Sequence, residues 1–264
     1  MRLPESLLLL ALLGGCATMP AEDGRNSASA GSAGEKSSGN GAGKPLSGPG
    51  RTNMGLAQSY LGRNEIERAT ERAQMALQSD PDSADAHVMM AFIHMRSNKP
   101  DKATREFDRA LKLAPNDGVV LNAHAAWLCE HGNAAQADTE FARALRDPHY
   151  RTPLQALSNA GECANKAGNW AQAEAYLRRG LEIAPRDRQV LFLLAEAELH
   201  QGQVLEARAF IQRRDALGSD AATLELAARI EDAANDRVSA GRYRQRLRDE
   251  FPNYAPTGEG ARSP

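Results

Sequence analysis

Residues 86–115 read AHVMMAFIHMRSNKPDKATREFDRALKLAP. Two helical runs face each other across the polar break Ser97-Asn98-Lys99, and Pro115 closes the second, because proline lacks an N–H and clashes with the preceding turn. Working outward, the same marks recur. Ala69, Ala103 and Ala137 stand 34 residues apart, and Ala173, Ala207 and Ala240 continue the ladder at intervals of 36, 34 and 33. Ala76, Ala110, Ala144 and Gly180 form a second ladder, and Pro81, Pro115, Pro185 and Pro252 each follow an apolar helical run. Asn64, Asn98, Asn133 and Asn169, with Gly132, Gly168 and Gly202, punctuate the turns, where residues that tolerate positive φ are needed. A fixed period of this length marks a chain of stacked supersecondary units.

The pattern resembles the tetratricopeptide repeat, a helix–turn–helix of 34 residues. The second repeat carries it most fully, in Met90, Ala91, Ala103, Phe107, Ala110 and Pro115. The resemblance implies an all-α fold, a right-handed superhelical solenoid of about six repeats over residues 51–252. Small residues let the two helices of a repeat approach, large ones fill the gaps, and each repeat buries its face only against its neighbours.

The remaining chain is read from composition. Of 264 residues 42% are hydrophobic, 25% charged and 5% aromatic, with a net charge of −2. That balance is ordinary for a soluble domain and gives no broad basic field for nucleic acid. Residues 1–15 have the layout of a secretory signal peptide. Leu13-Gly14-Gly15-Cys16 resembles the bacterial lipobox, which implies cleavage after Gly15 and a covalent lipid on Cys16, the sole prosthetic group expected. Residues 16–50 are rich in Gly, Ser and Ala and lack the apolar surface to fold. As a flexible tether they would span roughly 30–35 Å. Gly43-Lys44 is no phosphate-binding loop, since Ser38 stands where that motif needs Gly and Pro45 replaces its Ser/Thr. Residues 253–264 read as a disordered tail.

No catalytic constellation is found. His87, His94, His124, His131, His149 and His200 form no metal-binding spacing, and Glu225 and Glu231 read as a solvated face. Binding is therefore expected in a groove lined by the first helices of the repeats. The family's groove positions fall on Met54 and Gln58, then Val88, Phe92, Met95 and Arg96, then Asn122, Ala126 and Cys129, then Ser158, Glu162, Asn165 and Lys166. Phe92 and Met95 stand outside the core positions, which suggests exposed apolar groups for a hydrophobic partner segment. Trp170 is expected to pack; Trp127 is open to packing or binding. Cys129 and Cys163 lie in the first helices of successive repeats. A disulfide would staple repeats three and four, contributing about 2–4 kcal/mol; two buried free thiols are the alternative.

Two segments carry a closer resemblance, LNAHAAWLCEHG (121–132) and YRTPLQALSNAGECANKAG (150–168). Asn122, Trp127, Leu128 and Cys129, then Tyr150, Pro153, Asn159, Gly161 and Cys163, are similar to the type IV pilus biogenesis lipoproteins of the PilF/PilW type. The resemblance implies a monomeric, non-enzymatic pilotin on the periplasmic face of the outer membrane. Its partner would be the pilus secretin subunit, whose localisation and multimerisation it would promote, supporting twitching motility. Adaptors of outer-membrane β-barrel assembly or of cell-wall machinery are the alternatives.

Overall fold

The computed structural model describes residues 44–255. The expected signal peptide, the lipidation site Cys16, most of the tether and residues 256–264 lie outside the described residues. Twelve helices and no strand occur among the described residues. They are α1 (Gly48–Gly62), α2 (Ile66–Ser79), α3 (Ala84–Arg96), α4 (Pro100–Leu113), α5 (Gly118–Glu130), α6 (Ala134–Ala144), α7 (Pro153–Lys166), α8 (Trp170–Ile183), α9 (Arg188–His200), α10 (Val204–Asp215), α11 (Ala221–Ala233) and α12 (Arg237–Glu250). Odd and even helices are the first and second helices of six repeats, so the fold is the expected tetratricopeptide solenoid.

The chain divides into two compact units, residues 1–123 and 124–264. In the first, α1 packs on α2, α2 on α3 and α3 on α4, and α1 also meets α3. In the second, α6 to α12 follow the same rule, with α7 against α9 and α9 against α11. Within the units, α3, α7 and α9 thus each touch their own partner and the preceding second helix, and first helices meet in the pairs α1–α3, α7–α9 and α9–α11.

The alanine ladder explains the close approach. Ala69, Ala103, Ala137, Ala173, Ala207 and Ala240 are all fully buried. Pro81, Pro115, Pro185 and Pro252 stand two residues beyond the last residues of α2, α4, α8 and α12. The turns divide into two kinds. Asn64, Asn98 and Asn235 take φ of 59°, 54° and 60° themselves. In repeats three and four Gly132 and Gly168 carry the positive φ instead, and Asn133 and Asn169 stand directly before the following helix at φ −93°, with no side-chain capping bond.

One close approach goes further than alanine allows. A Cβ on Gly161 would lie 2.4 Å from Leu177 Cγ, and Leu177 is fully buried. Gly161→Ala gains up to about 1 kcal/mol of helix propensity but overpacks the α7–α8 contact, at about 1–3 kcal/mol. A net loss of stability is expected in chemical denaturation, and a more stable variant would contradict this packing.

The first helix starts at Gly48, three residues inside the stretch read as tether. Ser47 caps it by accepting a hydrogen bond from Gly50 N–H at 3.2 Å, and Pro49 suits the first turn. Ser47 is itself clasped. Asp80, at the end of α2, accepts from the Ser47 N–H at 3.0 Å and from its hydroxyl at 2.7 Å through one carboxylate oxygen. At the other end, Tyr254 donates its hydroxyl to Glu225 at 2.5 Å, so the start of the expected tail is tied to α11.

Candidate functional site

The expected groove is described in each unit separately. In the first unit α3 carries the sequence Val88–Ile93, six consecutive residues that are all buried. A helix apolar on every side is enclosed on every side. Phe92 is accordingly 5% exposed, with its ring edge-on to Phe107 of α4 at 6.0 Å between centroids. This corrects the expectation of an exposed aromatic in the groove: Phe92 is core, and Val88 and Asn122 are buried with it. Met95, Met54 and Gln58 are half-buried and Arg96 is exposed. Arg96 donates to the Asn64 side chain at 2.7 Å, tying the end of α3 to the turn after α1. His87 bridges Glu106 Oε2 at 2.7 Å and the Pro81 carbonyl at 3.2 Å, a packing role between repeats one and two.

In the second unit the groove positions form a polar strip. Ser158, Glu162 and Asn165 follow one another at i, i+4 and i+7 on α7, on one helical face. Asn165 Nδ2 donates to the Leu193 carbonyl of α9 at 2.9 Å and lies 3.4 Å from Glu196 Oε2. Lys166 pairs with Glu162 at 3.0 Å, and Gln189 Nε2 donates to Glu162 at 3.2 Å. The Ser158 hydroxyl and Asn165 Oδ1 are buried with no hydrogen-bond partner. Ala126 is half-buried and offers only a methyl group.

Burial pushes the carboxyl of Glu196 above the usual glutamate range, against the pull of His200 and Arg229. A carboxyl raised in the folded state favours folding when protonated. Its contribution is complete below the ordinary glutamate pKa and is lost as pH rises through the raised value. Glutamine cannot ionise. The stability of Glu196→Gln relative to the native protein should therefore increase between about pH 4 and pH 7, and a difference that stays flat in urea titrations would count against this burial.

Other charged groups fasten the repeats. Glu198 is 1% exposed and meets Arg178 at 2.6 Å, with burial raising its carboxyl. Glu231 pairs with Arg208 and is 3% exposed, so it is no solvated face; the helix that carries it is enclosed by α10 and α12. His124 and Glu140, both buried, meet at 2.7 Å between α5 and α6. Cys129 and Cys163 form a disulfide between α5 and α7, with Cα atoms 5.7 Å apart. Trp127 is 7% exposed and lies on His131; Trp170 stacks on His200 at 4.0 Å. Among the described residues no group of three or more His, Cys, Asp or Glu side chains could hold a metal ion. Sequence reasoning missed Gln189 and Glu196, which join the strip from α9. Glu196 shares the Glu162 position 34 residues on, and that spacing was the available signal.

Comparison with known proteins agrees with this geometry. A family model described as tetratricopeptide repeat matches residues 60–126 and 164–230, and a second of the same description matches 123–188. The chain is 26% identical over 198 residues to the type IV pilus assembly protein PilF of Pseudomonas aeruginosa, covering 75% of this chain and 79% of that one. The crystal structure of PilW, a widely conserved type IV pilus biogenesis factor, superposes with a TM-score of 0.74 at 29% identity, covering 79% of this chain and 96% of PilW. The structure of Pseudomonas aeruginosa PilF gives 0.69 at 25% identity, over 78% and 93%.

Proposed function

Because this chain belongs to the tetratricopeptide-repeat family and is homologous to PilF and PilW, we propose that it is a type IV pilus biogenesis factor of the pilotin kind. It binds the secretin subunit, brings it to the outer membrane and promotes its assembly into a ring. The observation that carries this reading is the match to PilW over 96% of that chain. It combines that extent with 29% identity, above the level at which a likeness speaks for the fold alone.

Three features support the finer parts. The lipobox-like Leu13-Gly14-Gly15-Cys16 suits an exported lipoprotein, acylated at Cys16 and held on the periplasmic face of the outer membrane. The Cys129–Cys163 disulfide suits an oxidising compartment. The polar strip around Glu162, with Lys166 and Gln189 beside it, suits a polypeptide ligand, because its amide, ammonium and carboxylate groups can pair with a peptide backbone. The protein acts by binding, without turnover, as a monomer, and takes no cofactor beyond its lipid.

The test is the amount of heat- and detergent-resistant secretin ring in outer membranes with and without the gene. Loss of the ring, with secretin monomer stranded in the inner membrane, supports the reading, and Cys16→Ser should reproduce it. An unchanged ring would reject it.

A further inference from the structure

Between α6, α7 and α8 the second unit contains a cavity of about 410 Å³. Its floor is Phe141, Ala160, Cys163 and Ala164, all buried. Methyl groups stand where larger side chains would have closed the space, and the disulfide borders it through Cys163. The volume falls within the ~300–1,000 Å³ of ordinary binding pockets. It is ample for one long side chain and its flanking backbone.

The rim has a different chemistry. Asp138 and Gln172 line it, and Asp138 is exposed. The Tyr176 hydroxyl donates to Asp138 Oδ1 at 2.7 Å. Burial, and then this bond, push the Tyr176 phenol up to about 12, so it remains a donor at any physiological pH and holds the carboxylate in one orientation. The carboxylate has no ion pair among the described residues. Arg179, the cation felt by Tyr176, weighs least of the causes acting on that phenol.

An apolar floor below a fixed, uncompensated carboxylate is complementary to an alkyl stem that ends in a positive charge. We propose that this cavity is a docking pocket for an arginine side chain of a partner polypeptide. The three methylenes lie on Ala160 and Ala164, and the guanidinium meets Asp138. A guanidinium presents several N–H groups in a planar fork and can donate to the carboxylate while Tyr176 holds its other side. An acidic side chain is repelled, and a purely aliphatic one leaves Asp138 without a counter-charge. The pocket lies on the side of α7 that faces α6 and α8. The polar strip of Ser158, Glu162 and Asn165 faces α9, so this is a second anchoring point. The proposal rests on the reading that the repeats bind a polypeptide.

The experiment uses the full purified chain and no secretin. The alanine methyl groups are followed by NMR while N-acetyl-arginine methylamide is added, with N-acetyl-norleucine methylamide as the uncharged control. Saturable shifts of the Ala160 and Ala164 methyls are expected with arginine, and binding about fivefold or more weaker with norleucine. Asp138→Asn should weaken arginine binding about five- to tenfold, the scale of one charge-assisted hydrogen bond at a partly exposed site. Ala135→Leu, at an exposed position of the mouth, should abolish it with Asp138 intact. No saturable shift in the native domain, or equal binding of arginine by Asp138→Asn, overturns the proposal. Since no secretin is present, such a failure leaves the ring experiment to judge the pilotin reading by itself.

Discussion

Replacing Cys129 and Cys163 together by alanine should lower the melting temperature by about 6–16 °C. The disulfide closes a sequence separation of 34 residues, for which the loop-closure model gives about 3–4 kcal/mol at 25 °C. A domain of this size loses about 2–4 °C for each kcal/mol. The double replacement is preferred to a single one because it leaves no thiol free to pair between molecules. The native protein melted in reductant should match the variant. Melting curves that coincide for the oxidised protein and the variant would show that the packing of α5 on α7 needs no covalent staple. The effect should be local as well, with amide exchange accelerating first in α5, α6 and α7, since repeat proteins are stabilised by nearest-neighbour contacts.

Phe92→Ala should cost about 3–5 kcal/mol, the usual range for removing a buried aromatic ring. The ring is 5% exposed and fills the space beside Phe107. A groove residue facing solvent would cost about 0.5 kcal/mol or less, so the magnitude in urea unfolding distinguishes the two placements directly. Phe92→Leu, which restores most of the volume, should recover more than half of the loss. A Phe92→Ala protein as stable as the native one would return the ring to the groove. The consequence for mapping is practical. Loss of a partner by Phe92→Ala reports damage to the first unit, whereas Met95 and Gln58, both half-buried, can be changed with less risk to the fold.

The fold was legible because its period is written in small residues. An alanine at a close helix–helix contact leaves no room for any larger apolar side chain, so the ladder from Ala69 to Ala240 stands out in the sequence, and all six of its members are fully buried. The turn residues were legible as a set but not individually. The positive φ passes from asparagine to glycine between repeats, and Asn133 and Asn169 then fall on the residue before the next helix at negative φ. The site was less legible. Periodicity assigns a face only when one face is polar, and α3 has no polar face between Val88 and Ile93. Phe92 therefore reads as a groove residue, and tertiary enclosure places it in the core. Glu231 failed for a related reason: a carboxylate reads as solvated until its Arg208 partner, 23 residues earlier, is brought beside it. The cavity at Asp138 depends on what the surrounding alanines leave unfilled, and no single residue announces that.

The Ser47–Asp80 clasp has a mechanical meaning. A pull on the chain upstream of the repeats enters the fold at Ser47. Without the clasp, α1 would unravel from its first turn, each hydrogen bond breaking in series under the full load. With it, the load divides between two bonds in parallel, both ending on one oxygen of Asp80. Both must break before the full load falls on the first turn of α1. Part of the force is handed to the end of α2, and so to the whole first hairpin, whose helices are a packed pair. The residue that would loosen this grip is close by. A Cβ on Gly50 would stand 1.9 Å from that same Asp80 oxygen, so any side chain at this position would push the carboxylate off Ser47.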